Sequence, residues 1–529
     1  MKNAAAGVAF GVVLSHDQKE MTRRHFLTGT VAAAYAVARA QTKATPFTCD
    51  SRKLQQAYDA ALAGLAANIQ PVDSFPRQVL FEGSTYRGVW LECAPLEGLV
   101  YAPVSPDVAR ANHEIYFALQ REDGQLPCSV RKDRIGWAQI QMVVPIAATA
   151  FELYRTNRDA AFLERAYAAA GRWDEWLVRY RNTRKTGLCE AFCTYDTGHD
   201  NSPRFAGKPR ACPNGDARVL ADVEGLPYLA PDLSATVYGG RVALAAMARE
   251  MANKSGEGRW LESAGAIRQL ILDRLYDARD AAFYDLDSRN QFVRIRGDAI
   301  TRVMSEHVAD RKLFDEVWQR QLHNPKAFWA PYPFPSIAAD DPSFVRPIPR
   351  NSWGGASQAL TALRTPRWME YYGQYSAFTH LMTQWVEALV RDPRFLQQMD
   401  PQSGEFTPDQ GGYSPAMLVL FDFVARLYGV RAEGDTLQWN CRLPADATSC
   451  VSAAGDAELR TTAAGSTLSL RGKTAVRVSG HVRLTTSRDG VPRQLVGTEA
   501  APVTVNLEYR GRTRTWSVKP DQLVDCGDK

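Results

Sequence analysis

Histidine is scarce in this chain, eight in 529 residues, and neither an HExxH nor a CxxC spacing occurs. That removes the common zinc-site patterns, structural or catalytic. Beyond the N-terminus no apolar run approaches the roughly 20 residues that a membrane-spanning helix needs. Basic runs are absent and the formal net charge is only +5, so nucleic acid is not an expected partner. No sequence repeat and no low-complexity linker is found, which argues against a repeat array.

The first forty residues read as an address. Thr22-Arg23-Arg24-His25-Phe26-Leu27 carries paired arginines, and a weakly apolar run follows from Leu27 to Val37. Ala38-Arg39-Ala40 then offers a small-x-small cleavage site before Gln41. The order of parts resembles a twin-arginine export signal, with Met1 or Met21 as the start. It implies a mature chain in the periplasm or outside the cell. Residues 1–40 hold five basic and two acidic side chains, so cleavage brings the net charge to about +2. All nine cysteines (49, 93, 128, 189, 193, 212, 441, 450 and 526) lie beyond that point. An odd number leaves at least one without an intrachain partner. Proximity in sequence points to Cys441 with Cys450 and Cys189 with Cys193 as bridges.

What is present is helical periodicity. Apolar residues recur at helical spacing through Leu54–Ala67, Val108–Leu119, Ile140–Tyr154, Ala160–Tyr180, Leu233–Ala252 and Trp260–Leu275. The pattern resumes in Ile300–Val308, Leu313–Leu322, Gln358–Leu363, Tyr371–Val390 and Ala416–Tyr428. Over residues 41–430 this makes about eleven helices, and a closed ring of helical hairpins is one way to bury so many apolar faces. After Gly429 β-branched residues alternate in Thr467–Leu470, Ala475–Val482, Val503–Tyr509 and Thr513–Val518. Residues 431–529 therefore read as an antiparallel β-sandwich packed directly on the helices.

Between two helical stretches lies Thr194-Tyr195-Asp196-Thr197-Gly198-His199-Asp200-Asn201-Ser202-Pro203-Arg204-Phe205. Gly198 and Pro203 make it a loop. Two carboxylates, an imidazole, a phenol, an amide and a guanidinium crowd together there. Polar loops held between apolar helices are where a scaffold tends to place chemistry, although the same residues also suit Asx turns and helix caps.

This loop carries a resemblance. Residues Gly198 to Phe205 are similar to the Gly-x-Asp-Asn/Phe-Ser-x-Arg-aromatic loop of trehalase, mannosylglycerate hydrolase and the family 63 α-glucosidases. Tyr86-Arg87-Gly88-Val89-Trp90-Leu91-Glu92 resembles their N-terminal aromatic-acidic segment, and Gln120-Arg121-Glu122-Asp123-Gly124 their Gln-x-x-Asp-Gly turn. Asn351-Ser352-Trp353-Gly354-Gly355 resembles the Trp-containing, Gly-rich stretch before a late helix. The resemblance implies a mainly α fold, an (α/α)6 barrel (a six-hairpin toroid) followed by a small C-terminal antiparallel β-sandwich. It also implies a glycoside hydrolase acting on an oligosaccharide or glycoside, with no cofactor and no metal.

Such chemistry needs two carboxyl groups flanking the glycosidic bond, roughly 6.5–9.5 Å apart where one activates a water and the anomeric configuration inverts. By the resemblance Asp200 is the general acid. Asp196 is expected to raise its pKa by like-charge repulsion, Arg204 to balance it or donate to a sugar hydroxyl, and Glu190 to hold Arg204. The second carboxylate departs from the pattern. Related sequences carry their base Glu shortly before an Asp/Asn-Pro-x-Thr/Ser-Gly turn, here Asp400-Pro401-Gln402-Ser403-Gly404. The equivalent residue is Gln397, which cannot take a proton. Glu405 is the favoured substitute, with Asp400 and Glu92 as alternatives.

Flat side chains complete the expected site. Phe328-Trp329-Ala330-Pro331-Tyr332-Pro333-Phe334-Pro335 is a proline-stiffened aromatic loop whose Trp329 and Tyr332 suit stacking on sugar rings. With Trp90, Glu92, Asp196, His199, Asn201, Arg204 and Trp353 they form the expected substrate-binding set. Two other readings stay open. One is a polysaccharide lyase with Tyr195 and His199 abstracting a proton; the other is a carbohydrate-binding protein without turnover, which Gln397 favours.

Overall fold

The structure, a computed structural model, describes residues 47–527. The export signal expected over residues 1–40 lies outside the described residues. The helices come as pairs, an outer one followed by an inner one. They are α1 (Arg52–Ala67) and α2 (Ala94–Tyr101), α3 (Pro106–Ala118) and α4 (Ile146–Asn157), α5 (Ala160–Tyr180) and α6 (Pro231–Glu250). Next come α7 (Lys254–Arg274) and α8 (Ala299–Ser305), then α9 (Arg311–Val317) and α10 (Ala359–Arg364), which the short α11 (Pro366–Met369) follows. Finally α12 (Tyr375–Arg391) precedes α13 (Ser414–Tyr428).

Burial separates the two sets. Every residue of α8 and α10 is buried, and nearly every residue of α13. By contrast α5 turns Phe162, Leu163, Ala166, Trp173 and Leu177 inward and leaves Glu164 and Arg165 exposed. The inner helices touch in turn: α2 with α4, α4 with α6, α6 with α8, and α10 with α13, which returns to α2. Through α11 the ring also joins α8. The result is an (α/α)6 barrel.

Helix starts show where the barrel does its work. Five outer helices begin on a side-chain cap, the N–H groups of Leu54, Val108, Phe162, Gly256 and Leu313 donating to Ser51, Ser105, Asp159, Asn253 and Asp310. None of the six inner helices has such a cap. Their N-termini open onto loops that are stitched together. Met142 N–H donates to Asp196 C=O, Trp353 N–H to Asp200 C=O, Ala359 N–H to Gln397 C=O and Ser414 N–H to Glu82 C=O. The positive ends of the inner helix dipoles thus face one region.

The sandwich begins with a strand from the other end of the chain. Strand β1 (Phe47–Cys49) joins the sheet of β4 (Ser449–Ala454), β5 (Ala457–Thr462), β6 (Gly465–Leu470), β7 (Lys473–Ser479), β10 (Val503–Tyr509) and β11 (Arg512–Val518), in that order. The second sheet runs β2 (Val430–Glu433), β3 (Thr436–Cys441), β8 (Val482–Ser487), β9 (Pro492–Val496), β12 (Leu523–Asp525). Alternation sets the inner faces: in β5, Ala457, Leu459 and Thr461 are buried while Glu458 and Arg460 are exposed. Between the sheets lie Leu437, Trp439, Leu459, Leu468, Val476, Leu484 and Val505. Asn440 Nδ2 donates to the carbonyls of Ala425 and Gly429, and Arg426 and Arg483 share Glu370, so the sandwich sits against α13.

Topology corrects the expected bridges. Cys450 on β4 faces Cys49 on β1, not Cys441, with the sulfurs 2.6 Å apart. Cys441 lies in the other sheet opposite Val482. Cys193 faces Cys212 at 3.8 Å rather than Cys189. Nearness along the chain misled at Cys450 because strand register, not sequence distance, sets which side chains meet in a sheet. Among the described residues no helix is long and apolar enough to cross a membrane.

Candidate active site

Asp200 sits at the open side of the stitched loops, half-buried, its carbonyl held by Trp353 N–H at 3.1 Å. Two residues earlier Gly198 adopts φ +66°, and a Cβ there would fall 1.7 Å from Glu92 Oε2. Glycine takes this left-handed conformation without strain, and the space that a Cβ would need is filled by the Glu92 carboxyl. Glu92, on the loop before α2, is thereby seated against the Asp200 loop. Gln141, at φ +44°, reaches Glu92 through its amide and accepts from Gln139 at 2.9 Å. A non-glycine residue in that region stores strain, which is common where a side chain must be aimed.

Burial and nearby charge perturb these carboxyls. Burial raises Asp200 above its usual value, against a hydrogen bond from Asn351 and the charge of Arg210. Glu92 is pushed up to about 7 by burial and by Asp200, with Arg302, Gln141 and Arg364 pulling the other way. Deeper in, burial and Glu92 raise Glu82, which accepts from the Tyr413 hydroxyl at 2.7 Å. Glu97 is fully buried and lifted to about 8, chiefly by burial.

Glu97 gives a stability prediction. Its folded value lies above the ordinary 4.5, so its contribution is full below that value and is lost as pH rises through about 8. The melting temperature should fall between pH 5 and pH 9, and Glu97→Gln should flatten that fall. An unchanged slope in the variant would remove Glu97 from the account.

Beneath Asp200 lies a buried ion network. His199 Nε2 bonds Asp298, its Nδ1 meets Arg204 Nη1 at 2.9 Å, and its ring stands edge-on to Trp353 at 5.1 Å. Arg204 grips Asp232 with two bonds of 2.7 Å and Asp285 with bonds of 2.5 and 2.6 Å. Arg302 and Arg364 lie over the Trp353 ring at 5.2 and 5.9 Å and pair with Asp298. Burial and Arg302 press His199 down to about 4, so it is neutral near pH 7. Burial alone would raise Asp298, but Arg302 and His199 hold it well below the carboxylate range.

Residues 90–415, well over half of the chain, match the mannosylglycerate hydrolase MGH1-like glycoside hydrolase domain. The chain belongs to this family. Its activity is the hydrolysis of glycosidic bonds, and its substrate is a carbohydrate. Solved structures agree in fold. The GH63 mannosylglycerate hydrolase of Thermus thermophilus is 17% identical, with 69% of this chain and 99% of that one covered and a TM-score of 0.56. Neutral trehalase of Saccharomyces cerevisiae is 14% identical, covering 65% and 73%, with a TM-score of 0.52. A GH78 rhamnosidase of Bacillus sp. GL1 is 10% identical, covering 82% and 40%, at 0.53. No curated protein matches the sequence.

Within this MGH1-like hydrolase several expected roles change. Asp196 is fully buried and ion-paired with Arg181 at 2.5 Å, and its carboxylate also receives the N–H groups of Ile140 and Phe192. Burial, not repulsion by Asp196, is what lifts Asp200. Arg204 is spent on Asp232 and Asp285, and Glu190 instead binds the Thr183 and Arg184 backbone. Trp353 is only 2% exposed, so it is a floor rather than a stacking platform. Trp90 is buried edge-on to Tyr86 at 5.9 Å. Asn201, exposed, donates to the Asn351 carbonyl at 2.8 Å. Trp329 belongs to a separate aromatic cluster with Trp318, His323, Phe334 and His380. Tyr332 lies on Gly404 and braces the 400–404 turn, its N–H bonded to Pro401 C=O. Glu405 is exposed on that turn, and its carboxylate has no hydrogen bond among the described residues. Asp400 caps the turn through the N–H groups of Gln402 and Ser403.

Two clusters carry metal-ligand chemistry. Cys193, Asp196 and Cys212 stand together, as do Glu82, Glu92 and Cys93, each set within 4.8 Å. Arg181 fills the first, reaching both Asp196 and Cys212. Tyr413 and Gln141 serve the second. A pocket of about 630 Å³ lined by Arg279, Tyr284, Arg294 and Arg320 lies away from all of these. Its arginines are paired with Asp277, Asp280 and Glu316, so it gathers no acid–base pair.

Proposed function

We propose an exported, inverting glycosidase in which Asp200 protonates the leaving oxygen and Glu92 activates water. The observation that carries the reading is the seating of Glu92 in the space above Gly198, which couples it to Asp200 while Glu405 stays in solvent. As carboxylates the two repel one another, and burial together with Asp200 holds the Glu92 proton up to about 7. Between the two ionisations one carboxyl is acid and one is base, the state this chemistry needs. The resemblance of the 198–205 loop gives the acid role to Asp200. Burial and Asp200 hold the Glu92 proton up to about 7, so Glu92 serves as base in the form whose proton rests on Asp200, a form that Arg302 and Arg364 favour. Export rests on the order of signal parts over residues 22–41.

A lyase reading loses its residues: His199 is locked between Asp298 and Arg204, and burial and Asp200 raise the Tyr195 phenol. Proton NMR of the fresh product tests the proposal. It should show a reducing sugar of inverted anomeric configuration and no ultraviolet-absorbing double bond. A retained anomer refutes the roles given to the two carboxyls, and an unsaturated product refutes hydrolysis at this site.

A further inference from the structure

Gln397 stands where related enzymes carry their base, and the structure gives it a different task. The Tyr86 hydroxyl donates to Gln397 Oε1 at 3.1 Å. Gln397 Nε2 donates to Asn351 Oδ1 at 3.0 Å, and Asn351 Nδ2 donates to Asp200 Oδ2 at 3.0 Å. Every donation in this chain points toward Asp200. Gln397 is buried, Asn351 and Tyr86 half-buried. The backbone of Asn351 is fixed at its carbonyl by Asn201, so its amide can turn while its position holds.

An amide is a donor at one end and an acceptor at the other. Two self-consistent directions therefore exist. In one, Asn351 gives N–H to an ionised Asp200. In the other, a protonated Asp200 gives its O–H to Asn351 Oδ1, Asn351 gives N–H to Gln397 Oε1, and Gln397 gives N–H to the Tyr86 oxygen. Both directions satisfy every link. An ionised glutamate at 397 would accept only. It would draw the Asn351 N–H to itself, leave Oδ1 facing Asp200, and hold Asp200 protonated.

We propose that Gln397 is a positioning residue which, through Asn351, lets Asp200 be hydrogen-bonded equally well with and without its proton. The inference rests on Asp200 as the general acid, which must alternate between those states in each turnover. Gln397 is thus the middle of a reversible relay and not the vestige of a base. The other groups facing Asp200 are Arg210, Tyr195, Glu92, Glu82 and the Tyr86 phenol itself. None of them changes when the relay is cut at residue 351.

The test is a double-mutant cycle read on Asp200 directly. Carboxyl-labelled aspartate is titrated by carbon-13 NMR, with the Asp200 signal assigned by its loss in Asp200→Asn. Gln397→Glu should raise the Asp200 midpoint by about one pH unit or more. In an Asn351→Ala background less than half of that shift should remain. An equal shift in both backgrounds would mean charge acting through space, and no shift in either would mean no coupling; both overturn the relay. Should Gln397→Glu fail to fold, the neutral Tyr86→Phe replaces it in the cycle. A Gln397 N–H left without an acceptor costs more than a carbonyl left without a donor, so the midpoint should fall slightly, and that fall should also vanish in Asn351→Ala. The alkaline limb of kcat/KM should follow the midpoint. If the midpoint moves as expected while Asp200→Asn keeps native kcat, the relay stands and the acid assignment falls. If the midpoint stays put while Asp200→Asn is inactive, the reverse holds.

Discussion

Asp200→Asn should lower turnover of a glycoside with a poor leaving group by on the order of 10²–10⁴-fold, the usual worth of a positioned general acid. The same change should cost far less on an aryl glycoside whose leaving phenol is acidic, because that bond breaks with little protonation. The fold should survive. Asn351 is the side-chain hydrogen-bond partner of Asp200, and its amide can turn to meet an asparagine as well as a carboxylate. The backbone link from Trp353 does not involve the side chain. Melting temperature therefore separates loss of chemistry from loss of structure. Equal losses on good and poor leaving groups would mean that residue 200 does something other than donate a proton.

Glu92→Gln should be as damaging, for the opposite reason. Without a second carboxylate no group takes the proton of the attacking water, and loss on the order of 10²-fold or more is expected on every leaving group. A small anion such as azide, which needs no deprotonation, should restore part of the rate on activated substrates. The pH profile should change as well. In the native enzyme burial and Asp200 hold the Glu92 proton up to about 7. With the like charge gone, the alkaline limb should move to lower pH. Glu405→Gln is the control and should keep near-native rates. The opposite pattern, Glu405→Gln dead and Glu92→Gln active, would return the base to the turn at 400–405.

Much of the barrel was legible because the outer helices are amphipathic, with apolar residues at helical spacing along one face, as in α5. Helix α2 was not. Its sequence, Ala94 to Tyr101, is apolar nearly all round and contains Pro95 and Gly98, so no face stands out. The stretch from Ile140 to Pro145 has helical spacing but is loop, because Gln141 is turned to aim its amide at Glu92. The Asp200 loop was readable from its own residues. Its supports were not, since Asp298, Arg302 and Arg364 come from distant helices. One signal was there: a lone arginine in each of the otherwise apolar or small-residue runs Ala299–Ser305 and Ala359–Arg364, which buried helices tolerate only when it is paired. Asn351 was noticed for the neighbouring Trp353, and Gln397 for the carboxylate it lacks. That the two amides touch is a fact of tertiary structure alone. Trp329 misled because a rigid aromatic loop looks the same whether it packs on a sugar or on other rings.

The most direct measurement is a crystal structure of Asp200→Asn soaked with an oligosaccharide that the native enzyme cleaves. The glycosidic oxygen should lie about 3 Å from the side chain of residue 200. A water should sit between the anomeric carbon and Glu92, and Glu405 should touch neither sugar nor water. A sugar bound with Glu405 or Asp400 at its anomeric carbon, or one bound away from residue 200 altogether, would contradict the assignment of Asp200 and Glu92 as the working pair.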